Sequence, residues 1–300
     1  MQNPLQTSEK HWTILDLLKW TTGYFKSHAV EDSRASAEVL LAHVLDLKRI
    51  DLYVRYDQPL GKIELTAFKA LIKRRIAREP VAYILGGREF WSMNLKVSEN
   101  VLIPRPETEC LVEAALDVLP ENVPEEPKQV LELGTGSGAI VLALASERPV
   151  NSYFASDVSP AAVALARGNA RRHRLDDRIF FFAGAWFDAM DGNDLKFDLI
   201  VSNPPYIPTG DIKSLQPEIR KYEPCTALDG GSDGLDCLHL IIRRAVKYLA
   251  ARGILLLEMG SDQRNAIDAA AGAAGCYDRV EFMKDYGGHD RIAKLRKKGD

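Results

Sequence analysis

The tetrapeptide Asn203-Pro204-Pro205-Tyr206 closes the apolar run Phe197-Asp198-Leu199-Ile200-Val201-Ser202. Its residue types suit the capture of a planar NH2 whose lone pair is delocalised into a neighbouring π-system, as in a carboxamide or the exocyclic amine of adenine. The Asn203 side-chain oxygen and the Pro204 carbonyl can accept the two N–H bonds, and the remaining lobe of the nitrogen then faces a methyl donor. The prolines fix φ and lack N–H groups, which stiffens the turn and leaves carbonyls facing the site. The same residues also suit an ordinary turn after a strand, because Asn-Pro is common there. A second motif decides between the two readings.

That motif is Val130-Leu131-Glu132-Leu133-Gly134-Thr135-Gly136-Ser137-Gly138-Ala139-Ile140, a short apolar strand running through a glycine-rich turn into an apolar helix. Glycines admit a ligand close to the backbone, and the helix start presents free N–H groups. Gly134, Gly136 and Ala139 also satisfy the G-x-G-x-x-G/A dinucleotide fingerprint, which keeps a nicotinamide enzyme open at this step. The following strand, Ser152-Tyr153-Phe154-Ala155-Ser156, ends at Asp157, whose carboxylate is placed to accept both hydroxyls of a ribose. NAD and S-adenosylmethionine share that sugar. The acceptor chemistry separates them: hydride transfer has no evident use for a paired amine clamp, whereas methyl transfer from a sulfonium does.

These groups need a sheet to bring them together. From residue 129 strands and helices alternate: strand 129–133, helix 138–147, strand 151–157, helix 159–174, strand 178–183, an irregular stretch, strand 197–202, helix 235–250, strand 253–260, helix 263–274, and final strands near 279–285 and 290–296. The alternation predicts an α/β, doubly wound, mostly parallel sheet with ligands beyond the carboxyl ends of its strands. Upstream, Ile14, Leu17, Leu18, Tyr24 and Phe25 recur at helical spacing. So do Val39, Leu40, Val44 and Leu45, and then Leu65, Phe68, Ile72 and Ile76, which together predict a small bundle. From Val81 the pattern turns strand-like, through Tyr83-Ile84-Leu85 to Leu95-Lys96-Val97, consistent with a hairpin bridging two domains. In the segment Pro104-Arg105-Pro106-Glu107-Thr108-Glu109 the second proline suits the first turn of a helix reaching Leu119, with a loop from Pro120 to Lys128. The expected division is a helical substrate-recognition domain at 1–80, a hairpin with connecting helix and linker at 81–128, and the sheet domain at 129–300.

Composition bounds the partners. The 300 residues are 46% hydrophobic and 27% charged, ordinary for a soluble chain, and the amino terminus has neither a signal core nor a transit-peptide pattern. Cytoplasmic residence is therefore the expectation, with no membrane contact. Four well-separated cysteines and six histidines without i, i+4 pairing predict no metal. Residues 1–90 carry a balance of +3 and the remainder −6, with Lys73, Arg74, Arg75 and Arg78 forming one basic cluster. That cluster reads as a solvated helix face or as a contact for RNA or an acidic partner. The overall acidity disfavours an enzyme that tracks duplex DNA.

Over Trp12 to Lys297 the chain resembles the HemK/PrmC family of glutamine-N5 methyltransferases. The resemblance rests on the two motifs above and on Glu79-Pro80-Val81-Ala82-Tyr83-Ile84-Leu85-Gly86, Arg88-Glu89-Phe90-Trp91, the segment from Pro104 to Glu109, Tyr222-Glu223-Pro224, Asp229-Gly230-Gly231 with Asp233-Gly234-Leu235, and Leu255-Leu256-Leu257-Glu258. It implies a class I, Rossmann-like methyltransferase domain with a seven-stranded sheet, joined by a β-hairpin to a small N-terminal helical domain that grips the substrate. It implies S-adenosylmethionine as methyl donor, S-adenosylhomocysteine as product, and as acceptor the glutamine of the Gly-Gly-Gln motif in class I peptide chain release factors. By position, Gly134, Thr135, Gly136, Ser137 and Gly138 would line the methionine part of the cofactor, Asp157 the ribose and Trp186 the adenine, with Asn203, Pro204, Pro205 and Tyr206 on the glutamine amide. The chain departs from many relatives in reading Gly184-Ala185-Trp186 where they have Ser-Asp, which leaves the Trp186 backbone to meet the adenine amine. A sister branch methylates ribosomal protein L3, and adenine N6-methyltransferases of nucleic acid share the Asn-Pro-Pro-Tyr motif. The P-R-P-x-T-E spelling favours the release-factor branch, and no direct nucleic-acid substrate is expected.

Overall fold

The computed structural model describes residues 12–119, 121, 126–190 and 194–299. The chain divides into two compact units, Met1–Gly86 and Gly87–Asp300.

The first unit is helical: α1 (Ile14–Ser27), α2 (Ser33–Leu45), α3 (Asp51–Val54), α4 (Lys62–Ile76) and α5 (Val81–Leu85). Thr13 caps α1 by accepting the Asp16 N–H, and the Glu64 carboxylate accepts the Gly61 N–H at the start of α4. The apolar stripes meet as expected, with Ile14, Leu18, Phe25, Leu40 and Phe68 almost wholly buried. Burial of each such side chain contributes about 1.5–3 kcal/mol. The basic cluster is largely consumed inside this unit. Arg74 forms a two-pronged pair with Glu79 and donates to the Tyr83 and Ile84 carbonyls that end α5. Arg75 is buried and donates to the Glu79 carbonyl, and Arg78 donates to the Ala29 carbonyl.

One expected element is corrected. Tyr83-Ile84-Leu85 is helical, not strand, because the punctuation around this short apolar run outweighs its composition. Pro80 sits at the N-cap, its carbonyl accepting from Tyr83 and Ile84, and Gly86 stops the turn at φ 69° with its N–H on Ala82 and Tyr83.

The second unit opens with the hairpin β1 (Gly87–Phe90) and β2 (Met93–Lys96), in register Phe90 to Met93. Its two-residue loop, Trp91-Ser92, has both residues at positive φ, as a type I′ turn requires. A 3-10 turn at Pro106–Thr108 leads into α6 (Glu109–Leu116), which stops short of Leu119. Of the expected loop from Pro120 to Lys128, residues 120 and 122–125 lie outside the described residues, as do 191–193 of the irregular stretch. The alternating part follows as β3 (Gln129–Leu133), α7 (Ala139–Glu147), β4 (Ser152–Asp157), α8 (Pro160–Arg172), β5 (Ile179–Ala183), β6 (Phe197–Ser202), α9 (Pro217–Tyr222), α10 (Asp236–Tyr248), β7 (Leu249–Glu258), α11 (Arg264–Ala274), β8 (Tyr277–Lys284) and β9 (Asp290–Lys297).

The seven strands lie in the order β5-β4-β3-β6-β7-β9-β8. The first five pair in parallel, and β9 pairs antiparallel with both β7 and β8. Alternate residues of β3 serve opposite faces. Val130 packs with α7 and α8, while Leu131 and Leu133 pack with α10. Because β4 and β6 flank β3, the chain changes direction across the carboxyl end of β3, the place where such sheets bind ligands.

In the helical unit, Glu38 is 2% exposed and accepts from Arg34, Arg49 and Tyr53. Burial opposes its charge, but the Tyr53, Arg49 and Arg34 hydrogen bonds outweigh it and hold the carboxyl down at about 2, from an ordinary 4.5. A depressed folded value stabilises above the unfolded value and is lost as pH falls through the folded one, here between about 4.5 and 2. Glu38→Gln should therefore cost the helical unit about 1.5–3 kcal/mol at neutral pH, read as faster hydrogen exchange of the α2 amides in the full chain. The gap between the two forms should close at the acid end of that window; a gap that stays constant with pH would remove this account.

Candidate active site

The site starts where β3 runs out. Gly134, Gly136 and Gly138 have φ of 72°, 55° and 83°, in the left-handed region that side chains avoid. The turn they make is tied down on both sides: Thr135 N–H donates to the Ser156 carbonyl of β4 at 2.9 Å, and Gly138 N–H to the Thr135 carbonyl at 2.8 Å. Glu132, fully buried at the end of β3, accepts from Thr135 Oγ1 at 2.6 Å and from Val141 N–H at 3.2 Å in the first turn of α7. Burial pushes its carboxyl up to about 8, against the pull of those two donors, with Asp157 adding to the rise. Gly138 plays a different part from its neighbours. A Cβ there would sit 3.2 Å from both Ala166 and Leu142, so this glycine lets α8 approach the loop.

Asp157, at the end of β4, fixes two loops at once. Its Oδ2 accepts Gly136 N–H at 2.9 Å and its Oδ1 accepts Ser159 N–H at 2.9 Å, which leaves further lone pairs on both oxygens. Its carbonyl takes Gly184 N–H at 3.0 Å. Gly184 is needed at that point, because a Cβ would come 2.6 Å from that of Ala189. Trp186 follows at φ 51°, partly buried, its ring against Gly134. Ala185 between them lines the cavity with no polar side chain.

The Asn-Pro-Pro-Tyr turn leaves β6 after Ser202, whose hydroxyl donates to the Leu133 carbonyl at 2.8 Å and so locks β6 to β3 at their ends. Asn203 Nδ2 donates to Thr108 Oγ1 at 3.2 Å. The Tyr206 hydroxyl donates to Glu258 Oε1 at 3.2 Å, and its carbonyl accepts from Gln263 Nε2 at 3.0 Å. Glycines of the Asp229-Gly230-Gly231 and Asp233-Gly234-Leu235 motifs form the wall behind. A Cβ on Gly230 would lie 2.8 Å from Tyr206 Cα, and one on Gly234 2.4 Å from the Tyr206 carbonyl oxygen.

Two cavities meet here. The larger, about 570 Å³, is lined by Gly134, Thr135, Gly136, Ser137, Asp157, Trp186, Asn203 and Pro205 among others. The smaller, about 120 Å³, is lined by Pro204, Tyr206, Glu258 and Ile219, and it shares Leu102, Arg105 and Asn203 with the larger. Of the residues expected at the site, Gly138 is the one that lines neither. Several residues that the sequence motifs did not single out for a role border these spaces: Thr108, Glu258, Arg105 and Leu102. Arg105 is held by Glu223, which also accepts Ile103 N–H at 3.0 Å, so the Pro104–Glu109 segment is anchored to the Tyr222-Glu223-Pro224 motif. Thr108, Arg105 and Glu258 lie within the quoted motifs, but Thr108 and Glu258 stand 150 positions apart and Arg105 and Glu223 118. Among the described residues no group of three or more His, Cys, Asp or Glu is arranged to hold a metal ion. Nor is any helix long and apolar enough to cross a membrane.

Residues 16–86 match the PrmC N-terminal domain and residues 111–216 the methyltransferase small domain. A methyltransferase from Pyrococcus furiosus superposes with a TM-score of 0.51 at 19% identity, covering 77% of this chain and 98% of that one. The hMettl16 catalytic domain superposes at 0.56 with 15% identity, covering 73% and 81%. At such identities these structures speak for the fold alone. The sequence relatives speak for more. The release factor glutamine methyltransferase of Geobacter sulfurreducens is 44% identical over 286 residues, covering 94% of this chain and 95% of that one. That of Rhodopirellula baltica is 37% identical over 292 residues, covering 97% and 98%. With such identity sustained across both units, the chain belongs to the release factor glutamine methyltransferase family.

Proposed function

We infer that this chain methylates the side-chain amide nitrogen, N5, of the glutamine in the Gly-Gly-Gln motif of class I peptide chain release factors, with S-adenosylmethionine as donor. The observation that carries the reading is that Asn203 borders both cavities, so a group in the larger and an amide in the smaller would meet at its carboxamide.

The larger cavity fits the donor. Its volume falls within the ~300–1,000 Å³ usual for small-molecule clefts. Asp157 retains lone pairs for a ribose, and Trp186 offers an aromatic wall for a base. Asp157, Asp229 and Asp236 line it, whereas Arg105, already paired with Glu223, is the one basic side chain among its described lining residues. That charge balance suits a ligand carrying a sulfonium and an ammonium, and it opposes the pyrophosphate of a dinucleotide. Bound there, S-adenosylmethionine supplies an electrophilic methyl group and departs as S-adenosylhomocysteine.

The protein's own work is positional and electrostatic. Asn203 Oδ1 and the Pro204 carbonyl would grip the two N–H bonds of the acceptor amide, turning its lone-pair lobe toward the larger cavity. Holding nucleophile and methyl at near-attack distance supplies up to ~7–11 kcal/mol. The same two acceptors favour the positive charge that grows on nitrogen, and no strong base is needed because the N-methylated amide cation is acidic. Tyr206, tethered through its hydroxyl to Glu258, would pack on the flat amide and exclude water.

Asn203→Ala should lower kcat by about 10²–10³-fold and leave the affinity for S-adenosylmethionine nearly intact by calorimetric titration; unchanged turnover would refute the acceptor role. Asp157→Ala should do the reverse, weakening cofactor affinity by about 10- to 100-fold, and normal binding would take Asp157 out of the site. Incubation with labelled S-adenosylmethionine and, separately, a class I release factor, ribosomal protein L3 and adenine-containing DNA should place label on the release-factor glutamine. Mass mapping of label to either of the other two would overturn the assignment.

A further inference from the structure

Thr108 has no part in the mechanism above and Glu258 enters it only as the tether of Tyr206, yet both lie directly behind it. Thr108 is 4% exposed and Glu258 1%. Thr108 Oγ1 stands 2.8 Å from Glu258 Oε2 and 3.2 Å from Asn203 Nδ2, while Glu258 Oε1 takes the Tyr206 hydroxyl at 3.2 Å. A hydroxyl has one proton and two lone pairs, and Thr108 donates its proton to Glu258 Oε2. Thr108 can therefore offer Asn203 nothing but a lone pair. The carboxamide can answer that lone pair only with its NH2. Because the group is planar, its oxygen is then set on the opposite side. Burial pushes the Glu258 carboxyl up from its ordinary value, and the bonds from Thr108 and Tyr206, with the charge of Arg291, which is held by Asp285 and by the Met259 carbonyl, pull against that rise. If Thr108 donated to Asn203 instead, the carboxamide would turn over and present its own N–H bonds to the incoming NH2, donor against donor.

We propose that Glu258 and Thr108 form a relay of hydrogen-bond polarity that locks the Asn203 carboxamide with its oxygen toward the acceptor amide, making both of them positioning residues that select a hydrogen-donating NH2 over a carboxylate. The inference rests on the reading of Asn203 as amide acceptor. It adds a specificity that a bare Asn-Pro-Pro-Tyr turn lacks. A free asparagine can flip to donate to a glutamate, whereas a locked one meets glutamate with an oxygen facing oxygens.

Thr108→Val keeps the side-chain shape and removes the hydroxyl. It should lower kcat with the release factor by about 10- to 100-fold, with S-adenosylmethionine affinity retained and the melting temperature lowered because Glu258 Oε2 loses its donor, and Thr108→Ser should restore turnover. A release factor carrying glutamate in place of the target glutamine should inhibit the valine form more strongly than the wild type, a change that a purely structural role for Thr108 would not produce. Wild-type kcat and unchanged glutamate discrimination in Thr108→Val, alongside an inactive Asn203→Ala, would overturn the relay and leave the acceptor reading standing. An active Asn203→Ala would instead remove both. Should the valine form not fold, the wild type bound to S-adenosylhomocysteine and labelled with heavy nitrogen at asparagine decides the matter. Its Asn203 side-chain NH2 protons should show nuclear Overhauser contacts to Thr108, and the absence of such contacts would sink the proposal.

Discussion

A carboxylate buried at the end of a parallel strand must have its lone pairs met, and the groups that meet them are thereby fixed in space. This constraint organises the site. Parallel strands deliver all their carboxyl ends to one edge of the sheet, and three of those ends carry an acid: Glu132 on β3, Asp157 on β4 and Glu258 on β7. Glu132 holds Thr135 and the start of α7; Asp157 holds Gly136 and Ser159; Glu258 holds Thr108 and Tyr206. Glu223, on the segment after α9, does the same for Ile103 and Arg105. The glycine loop, the start of α8, the segment from Ile103 to Thr108 and the Asn-Pro-Pro-Tyr turn are thus each tied to an acid, of which Asp157 is the most open.

The parts of this arrangement that could be read from the sequence were the local ones. The strand, glycine turn and helix from Val130 to Ile140 carry their geometry in consecutive residues, since positive φ at Gly134, Gly136 and Gly138 is written in the glycines themselves. The alternation of apolar runs likewise located every strand of the large sheet to within a few residues. Val81–Leu85 escaped because five apolar residues are too few to show a period, and only the Pro80 and Gly86 at its borders carry the information. Thr108 and Glu258 escaped for a different reason. They stand 150 positions apart, and nothing in either segment names the other as partner. The basic cluster of the helical unit shows the same limit. A run of Lys73, Arg74 and Arg75 reads as a charged face, whereas Arg74, Arg75 and Arg78 each reach back to a carbonyl of their own unit.

The hairpin loop makes a related point about where order comes from. Trp91 and Ser92 occupy positive φ without glycine, a conformation worth roughly 1–2 kcal/mol of strain per residue. It is held because Trp91 N–H donates to Glu109 and its indole N–H to Glu147, while Asn169, wholly buried, clamps both backbone groups of Lys96 and the Ser137 carbonyl. One asparagine therefore joins the hairpin directly to the glycine loop.

Rigidity of this kind has a chemical reason. An amide nitrogen is a poor nucleophile, and a base strong enough to improve it would also activate competing groups. What remains is to hold the nitrogen where its weak lone pair and the methyl group are already aligned, and alignment degrades with a displacement of about an ångström. The Asn-Pro-Pro-Tyr turn meets that demand from several sides: proline rings within it, Gln263 on the Tyr206 carbonyl, Gly230 and Gly234 packed against the Tyr206 backbone, and Glu258 on its hydroxyl. A side chain at Gly234 would have to displace the Tyr206 carbonyl itself, which explains why glycine stands there although the position is far from the Asn-Pro-Pro-Tyr turn in sequence. The glycines of a motif that grips no amide are in this way as bound to the chemistry as the asparagine that does.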